Sequence, residues 1–168
     1  MDSRAEELVK QGDALFGARS SEMALWQENA ENFYTERATF YGGVSNASDD
    51  LFNSYPVLAR RELGNMLAVA LRPRTSRWFS PHIDDEKLDN EPDVRQWLEH
   101  AGGTQWRAMY DPIADFVRAT KEADHDYVSF GNAALKVERD MAKAALLFRS
   151  FHLRDAAWSE NASKQIDV

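Results

Sequence analysis

The chain has no cysteine, which removes disulfides, thiolate nucleophiles and cysteine-ligated zinc from consideration at once. Long apolar runs are missing too. No stretch approaches the ~18 consecutive apolar residues that a membrane-spanning helix needs, and the opening MDSRAEELVK lacks the basic-then-apolar layout of a secretory signal. A soluble, cytoplasmic chain with no membrane contact is the expectation. The eight glycines form no GxGxxG or Walker loop, and no serine stands in GxSxG, so nucleotide-binding and hydrolase motifs are absent. Basic charge is also scarce. Twenty Lys and Arg against 28 Asp and Glu leave a net charge of −8, the wrong sign for a protein that grips DNA by neutralising phosphates.

What is present suits one ordinary core. With 168 residues and 43% apolar content, a single domain over residues 1–168 is expected. Helical periodicity runs first, over about residues 4–131. Residues 4–17 put Ala5, Leu8, Val9, Gly12, Leu15 and Phe16 on one stripe, and about 21–38 put Met23, Trp26, Ala30, Phe33 and Tyr34 on another. A loop of small and polar residues, Gly42 to Ser48, separates them from a third helix. There Ser54 suits the N-cap, Pro56 the first turn, and Pro73 the stop. Tyr55, Leu58, Ala59, Leu63, Met66, Val69 and Ala70 share one side and are expected to face the core, with Arg60, Arg61 and Gly64 turned away. Glu62 projects among those apolar residues. If they are buried, Glu62 needs an internal partner, and a buried ion pair is the expectation.

Further along, residues 72–93 form a long connection; Pro92 opens a helix with a break or hinge expected at Gly102-Gly103, and Asp111-Pro112 opens the last one. That helix has Ile113, Phe116, Val117, Thr120, Ala123, Tyr127 and Phe130 on one side, opposed by Arg118, Glu122 and His125. From Ala133 the period shortens, and residues 133–168 read as strands: a hairpin turning in Arg139–Lys143, an extension through Arg154–Trp158 and a further strand from Ile166. The fold class is therefore α+β, mostly helical with a small incomplete antiparallel sheet.

No catalytic, cofactor-binding or metal site emerges. The four histidines have no ligand spacing, and His125 reads as part of a solvated face. His82 with Asp84, Asp85 and Glu86 lacks the glycine and spacing of a calcium loop and reads as a charged surface loop. Adjacent carboxylates such as Asp49/Asp50 have no evident pocket to separate their pKa values into acid and base. The one basic cluster is Arg72, Arg74 and Arg77 beside Trp78 and Phe79, in a span, 51–80, with five basic and one acidic residue. It is a candidate interface or nucleic-acid contact. Its structural alternatives are complementing the helix C-terminus and pairing with the acidic run Asp84–Asp93.

Four collinear segments carry a resemblance: LWQENAENFYTERATF (Leu25–Phe40), NSYPVLARRELGNMLAVALRPRTSRWF (Asn53–Phe79), RAMYDPIADFVRATKEADHDYVSFG (Arg107–Gly131) and HLRDAAWSEN (His152–Asn161). Together they resemble the front part of the head-to-tail connector, or portal, proteins of short-tailed bacteriophages. The resemblance implies a structural virion protein, not an enzyme, assembled in the host bacterial cytoplasm. It implies a ring of identical subunits, a dodecamer in the full-length family, at one capsid vertex, through which DNA is packaged and ejected. The implied partners are capsid, terminase and tail proteins, with double-stranded DNA bound weakly or not at all by this part. Family members are several times longer, so the chain is expected to correspond to the N-terminal, wing-like portion, without stem, clip and crown, from a truncated prophage gene or a cut piece. Alone, it is expected to remain monomeric or associate irregularly. Two other readings are a free-standing helical protein-interaction module of prophage origin, and a metal or acid–base hydrolase using Asp84–Glu86.

Overall fold

The structure, a computed structural model, describes residues 3–42, 52–142, 144–161, 163 and 166–167. The loop expected from Gly42 to Ser48 lies, past Gly42, outside the described residues, as do Asp49 and Asp50. Among the described residues six α-helices come first: α1 (Ser3–Ala18), α2 (Ser20–Phe33), α3 (Tyr55–Leu71), α4 (Glu86–Asp89), α5 (Pro92–Tyr110) and α6 (Phe116–Phe130). Strands follow: β1 (Ala134–Asp140), β2 (Ala145–Phe151), β3 (Ser159–Glu160) and β4 (Ile166–Asp167). The α+β reading holds, with a small antiparallel sheet after a mostly helical part. Sheet pairing is confined to β1 with β2 and to β3 with β4, the latter antiparallel with Ser159 opposite Asp167.

The packing gathers in two compact units, one of Met1–Glu62, His125–Ala134 and Phe151–Val168, the other of Leu63–Asp124 and Leu135–Ser150. The first has a core of Trp26, Ala30, Ala38, Phe40, Phe130 and Leu153. Trp26 and Ala30, one turn apart on α2, present one face. Phe40 fills the centre, edge-on to Phe130 with ring centroids 5.2 Å apart and 4.7 Å from the His152 ring. Gln27 fixes the chain that delivers Phe40, accepting from the Phe40 N–H at 2.9 Å and donating to the Ala38 carbonyl at 3.2 Å.

Arg19, between α1 and α2, is buried and holds a short 3-10 turn, Leu153–Asp155, by its carbonyls. Its guanidinium donates to Leu153 O and Arg154 O, both at 2.9 Å, and to Ala156 O, while lying 4.6 Å from the Phe16 ring centroid. The segment expected to extend the sheet, Arg154–Trp158, therefore begins in a turn and joins no strand before Ser159. A buried cation that needs acceptors uses the carbonyls of a turn, which point together, whereas strand carbonyls are committed to a ladder.

In the second unit Met109, Ala114, Phe116, Ala119 and Phe148 form the core. Six rings run in sequence through it: Trp78, Phe79, Trp106, Tyr110, Phe116 and Phe148, with successive centroids 5.1, 6.2, 4.1, 5.2 and 4.9 Å apart. Gly102-Gly103 does not break α5, contrary to expectation. Gly102 is buried, and a Cβ there would stand 2.9 Å from both Arg77 Nη1 and Pro81 Cδ, so its bare backbone is what lets the 77–81 segment pack on the helix. The last helix starts later than Pro112. A 3-10 turn, Pro112–Ala114, comes first, and Asp115 reverses the chain with φ of 58° while its carboxylate accepts from Arg118 Nε at 2.8 Å.

Candidate interaction surface

The third helix is the clearest departure from the expected packing. Its periodicity is as the sequence implies, but the stripe predicted to be buried is exposed: Tyr55 72%, Leu58 51%, Leu63 54%, Met66 68% and Val69 72%. The buried positions are Arg60 and Gly64, with Pro56, Val57, Leu67 and Ala68 partly covered. Arg60 explains the inversion for the start of the helix. Its guanidinium stacks 3.8 Å from the Tyr34 ring centroid, its Nε donates to Phe33 O at 3.2 Å, and Nη2 stands 3.9 Å from Glu36 Oε2. Phe33 ends α2, so the cation caps the carbonyl end of that helix, where the macrodipole favours it. Desolvation holds the Arg60 guanidinium below its usual range, and burial pushes the Tyr34 hydroxyl up. Burying one arginine this way commits the opposite, apolar side of the helix to the outside.

Glu62 therefore has no need of an internal partner. It is exposed in the middle of the exposed stripe, and the buried charge on α3 is Arg60, two residues earlier. The expectation failed because it took the apolar side to be the inner one.

The expected basic cluster is dispersed. Arg72 pairs with the buried Asp124 of α6, and Arg77 pairs with Glu99 and also donates to the Glu99 carbonyl at 3.2 Å. Neither uses the Asp84–Asp93 run. Trp78 Nε1 donates to the Tyr110 hydroxyl at 3.1 Å, and Phe79 packs against the second core. Only Arg74 of the three arginines is exposed with no ion pair among the described residues. Beside it, a groove of about 380 Å³ is lined by the C-terminal half of α3 and the N-terminal half of α6, with Ala68, Val69, Phe116 and Val117 as apolar wall and Arg74 and Lys121 as cations. Lys121 is exposed, again with no ion pair among the described residues.

On α6 the expected solvated face is partly an inner one. Asp124, His125 and Asp126 are all buried, Asp126 to 1% exposure, while Ile113 and Tyr127 of the predicted apolar side are exposed. In the first unit Arg37 Nε stands 3.4 Å from Asp126 Oδ1 and Tyr34 meets the His125 ring edge-on. Three consecutive buried polar residues cannot be found from hydropathy. Their signal lies in the cations elsewhere, Arg37 and Arg72, and in Tyr34.

Of the acidic candidates Asp84, Asp85 and Glu86, Asp85 has a structural use. Asp85 caps α4, accepting from Lys87 N at 2.9 Å and Leu88 N at 3.4 Å, and His82 Nδ1 lies 3.1 Å from Asp89. Among the described residues no three metal-ligating side chains converge, and no helix is long and apolar enough to cross a membrane.

Residues 5–168 match the family of bacteriophage head to tail connecting proteins. The chain belongs to this family. None of the curated proteins matches it. The connector family is structural, joining phage head and tail components.

Proposed function

We propose that the chain is the wing-like, N-terminal portion of a portal subunit, a virion structural protein at the capsid vertex through which DNA is packaged and ejected. The observation that carries this is the family match over nearly the whole chain, residues 5 to 168. Its partners in that role are identical subunits and the capsid, terminase and tail proteins, and its work is done by surfaces without chemistry or cofactor. Double-stranded DNA meets this portion weakly at most. The −8 net charge and the engagement of Arg72 and Arg77 in ion pairs support that, because neutralising phosphates is what gives affinity and salt dependence.

The test is the particle itself. Peptides of this chain in purified virions, induced from the host that encodes it, at the copy number of one ring per particle rather than hundreds, are the expected result. Their absence from infectious particles overturns the reading. Retention of short duplex DNA should vanish between low and physiological salt; tight binding at high salt, lost on replacing Arg72, Arg74 and Arg77, would overturn the weak-contact part. A second reading, a free-standing interaction module of prophage origin, is favoured by one observation: Ile166–Asp167 already has a partner strand in Ser159–Glu160.

A further inference from the structure

Two apolar surfaces are left exposed among the described residues. On α1, Leu8 and Val9 are 60% and 63% exposed and Phe16 is 39% exposed, along the stripe that also carries Ala5 and Leu15. In the second unit, Val69 lines the groove between α3 and α6 and leads to the exposed Met66 and Leu63. Soluble chains rarely leave contiguous apolar surface of this kind open unless something covers it.

The two surfaces fit each other in length and in charge. Leu8 to Phe16 spans roughly 12 Å of α1 at about 1.5 Å per residue, and Asn65 to Arg72, which line the groove, span about 10 Å. At about 100° per residue, Glu6 and Asp13 fall on the same flank of the α1 stripe, about 10 Å apart along the axis. The groove offers two cations, Arg74 and Lys121, without ion pairs among the described residues. An acidic-flanked amphipathic helix laid in an apolar groove with basic edges is an established mode of recognition.

We propose that α1 of one copy of this chain docks in the α3–α6 groove of a second copy, with Leu8, Val9 and Phe16 against Val69, Val117 and Met66, and Glu6 and Asp13 toward Arg74 and Lys121. The contact is heterologous: each copy gives one surface and receives the other. Such contacts build rings only when the rotation closes and open chains otherwise. The inference rests on the connector reading and names a subunit contact for it. Its test is made in solution, so a failure here leaves the particle test standing.

The experiment is light scattering after size exclusion on the full chain at about 100 μM, where micromolar contacts are populated. The wild type should associate in a concentration-dependent way. Leu8→Glu/Val9→Glu and Met66→Glu/Val69→Glu should each weaken association at least tenfold with the circular dichroism melting curve unchanged, since these side chains are exposed. Charge reversal gives the decisive arm. Glu6→Lys/Asp13→Lys and Arg74→Glu/Lys121→Glu should each be monomeric alone, and a one-to-one mixture of the two should associate, because each then meets its complement. A monomeric wild type overturns the proposal and points to another protein as the occupant. Association that ignores the charge reversals, or a mixture that stays monomeric, also overturns it.

Discussion

The two compact units are held together by different chemistry. In the first, guanidinium groups organise the packing: buried Arg19 holds a turn by its carbonyls, buried Arg60 stacks on Tyr34 and caps α2, and half-buried Arg37 faces Asp126. In the second, rings carry the interior from Phe79 to Phe148, with Trp78 at the exposed end, and the Arg72–Asp124 pair is the main charged exception. The first arrangement depends on direction, because each N–H needs a particular carbonyl or ring face. The second depends mostly on volume, because ring contacts tolerate modest shifts so long as the space is filled.

That contrast is open to breaking by substitution. The largest effect is expected at Phe116, buried between Tyr110 and Phe148. Phe116→Ala should cost about 4 kcal/mol through lost burial and the residual cavity, whereas Phe116→Leu should recover most of it. Urea midpoints for the two variants decide it. If leucine is as costly as alanine, ring geometry rather than volume supports the second unit, and the comparison fails.

Arg19 comes next. Arg19→Ala removes hydrogen bonds to three carbonyls in a buried setting and should cost about 3 kcal/mol. Arg19→Lys should recover less than half, since a single ammonium cannot reproduce the planar fork that spans Leu153 and Arg154. Full rescue by lysine would mean that charge alone matters there. Arg60→Ala should cost about 2 kcal/mol, the loss of one cation–π contact and one bond to a helix-end carbonyl. Tyr34→Leu should cost less in the Arg60→Ala background than in the wild type, because one of its contacts is already gone while those to His125 and Phe130 remain.

These same residues mark how far the sequence could be read. The five longer helices and their order were legible, because α1, α2, α3, α5 and α6 have 3.6-residue periods and Pro56, Pro73 and Pro92 mark where helices begin and stop, whereas the short α4 lies in the stretch that reads as a connection. The inner side of α3 was not. Periodicity says which residues share a face, and the assumption that the apolar face is the inner one fails when an arginine finds a ring and a carbonyl inside. Asp124, His125 and Asp126 were misplaced for the same reason. The basic cluster at 72–79 was visible as composition, but only the structure distributes Arg72 and Arg77 to Asp124 and Glu99 and leaves Arg74 beside Lys121 in the groove.

A smaller effect is expected from His152, which ties the first unit together as a neutral ring. Its Nδ1 accepts from Arg154 N at 3.0 Å, so the proton sits on Nε2, which donates to Arg37 O at 3.0 Å. Burial, with Arg37 and Arg154 nearby, lowers its pKa. Above the ordinary histidine value of about 6.5 both folded and unfolded rings are neutral, and the group has no effect on the pH slope. Below it, the unfolded chain takes up a proton that the folded chain resists, so stability falls as pH drops. The urea midpoint should decline from pH 7 to pH 5.5, and His152→Asn, which keeps an acceptor for Arg154 N, should flatten that slope. An unchanged slope would place the acid sensitivity elsewhere.

The smallest effect is the sharpest check on α3. Glu62 and Arg60 are two residues apart on one helix, and their environments are opposite: one exposed, the other buried against Tyr34 and Phe33. Glu62→Ala should leave the urea midpoint within about 0.5 kcal/mol of wild type, the usual range for a surface site, or raise it slightly through better helix propensity. It should also make the chain stickier, because Glu62 is the single charge within the exposed stripe of Tyr55, Leu58, Met66 and Val69. Light scattering at matched concentration reads that second effect. A loss of several kcal/mol from Glu62→Ala would mean that the carboxylate is paired inside after all and that the apolar stripe of α3 faces the core.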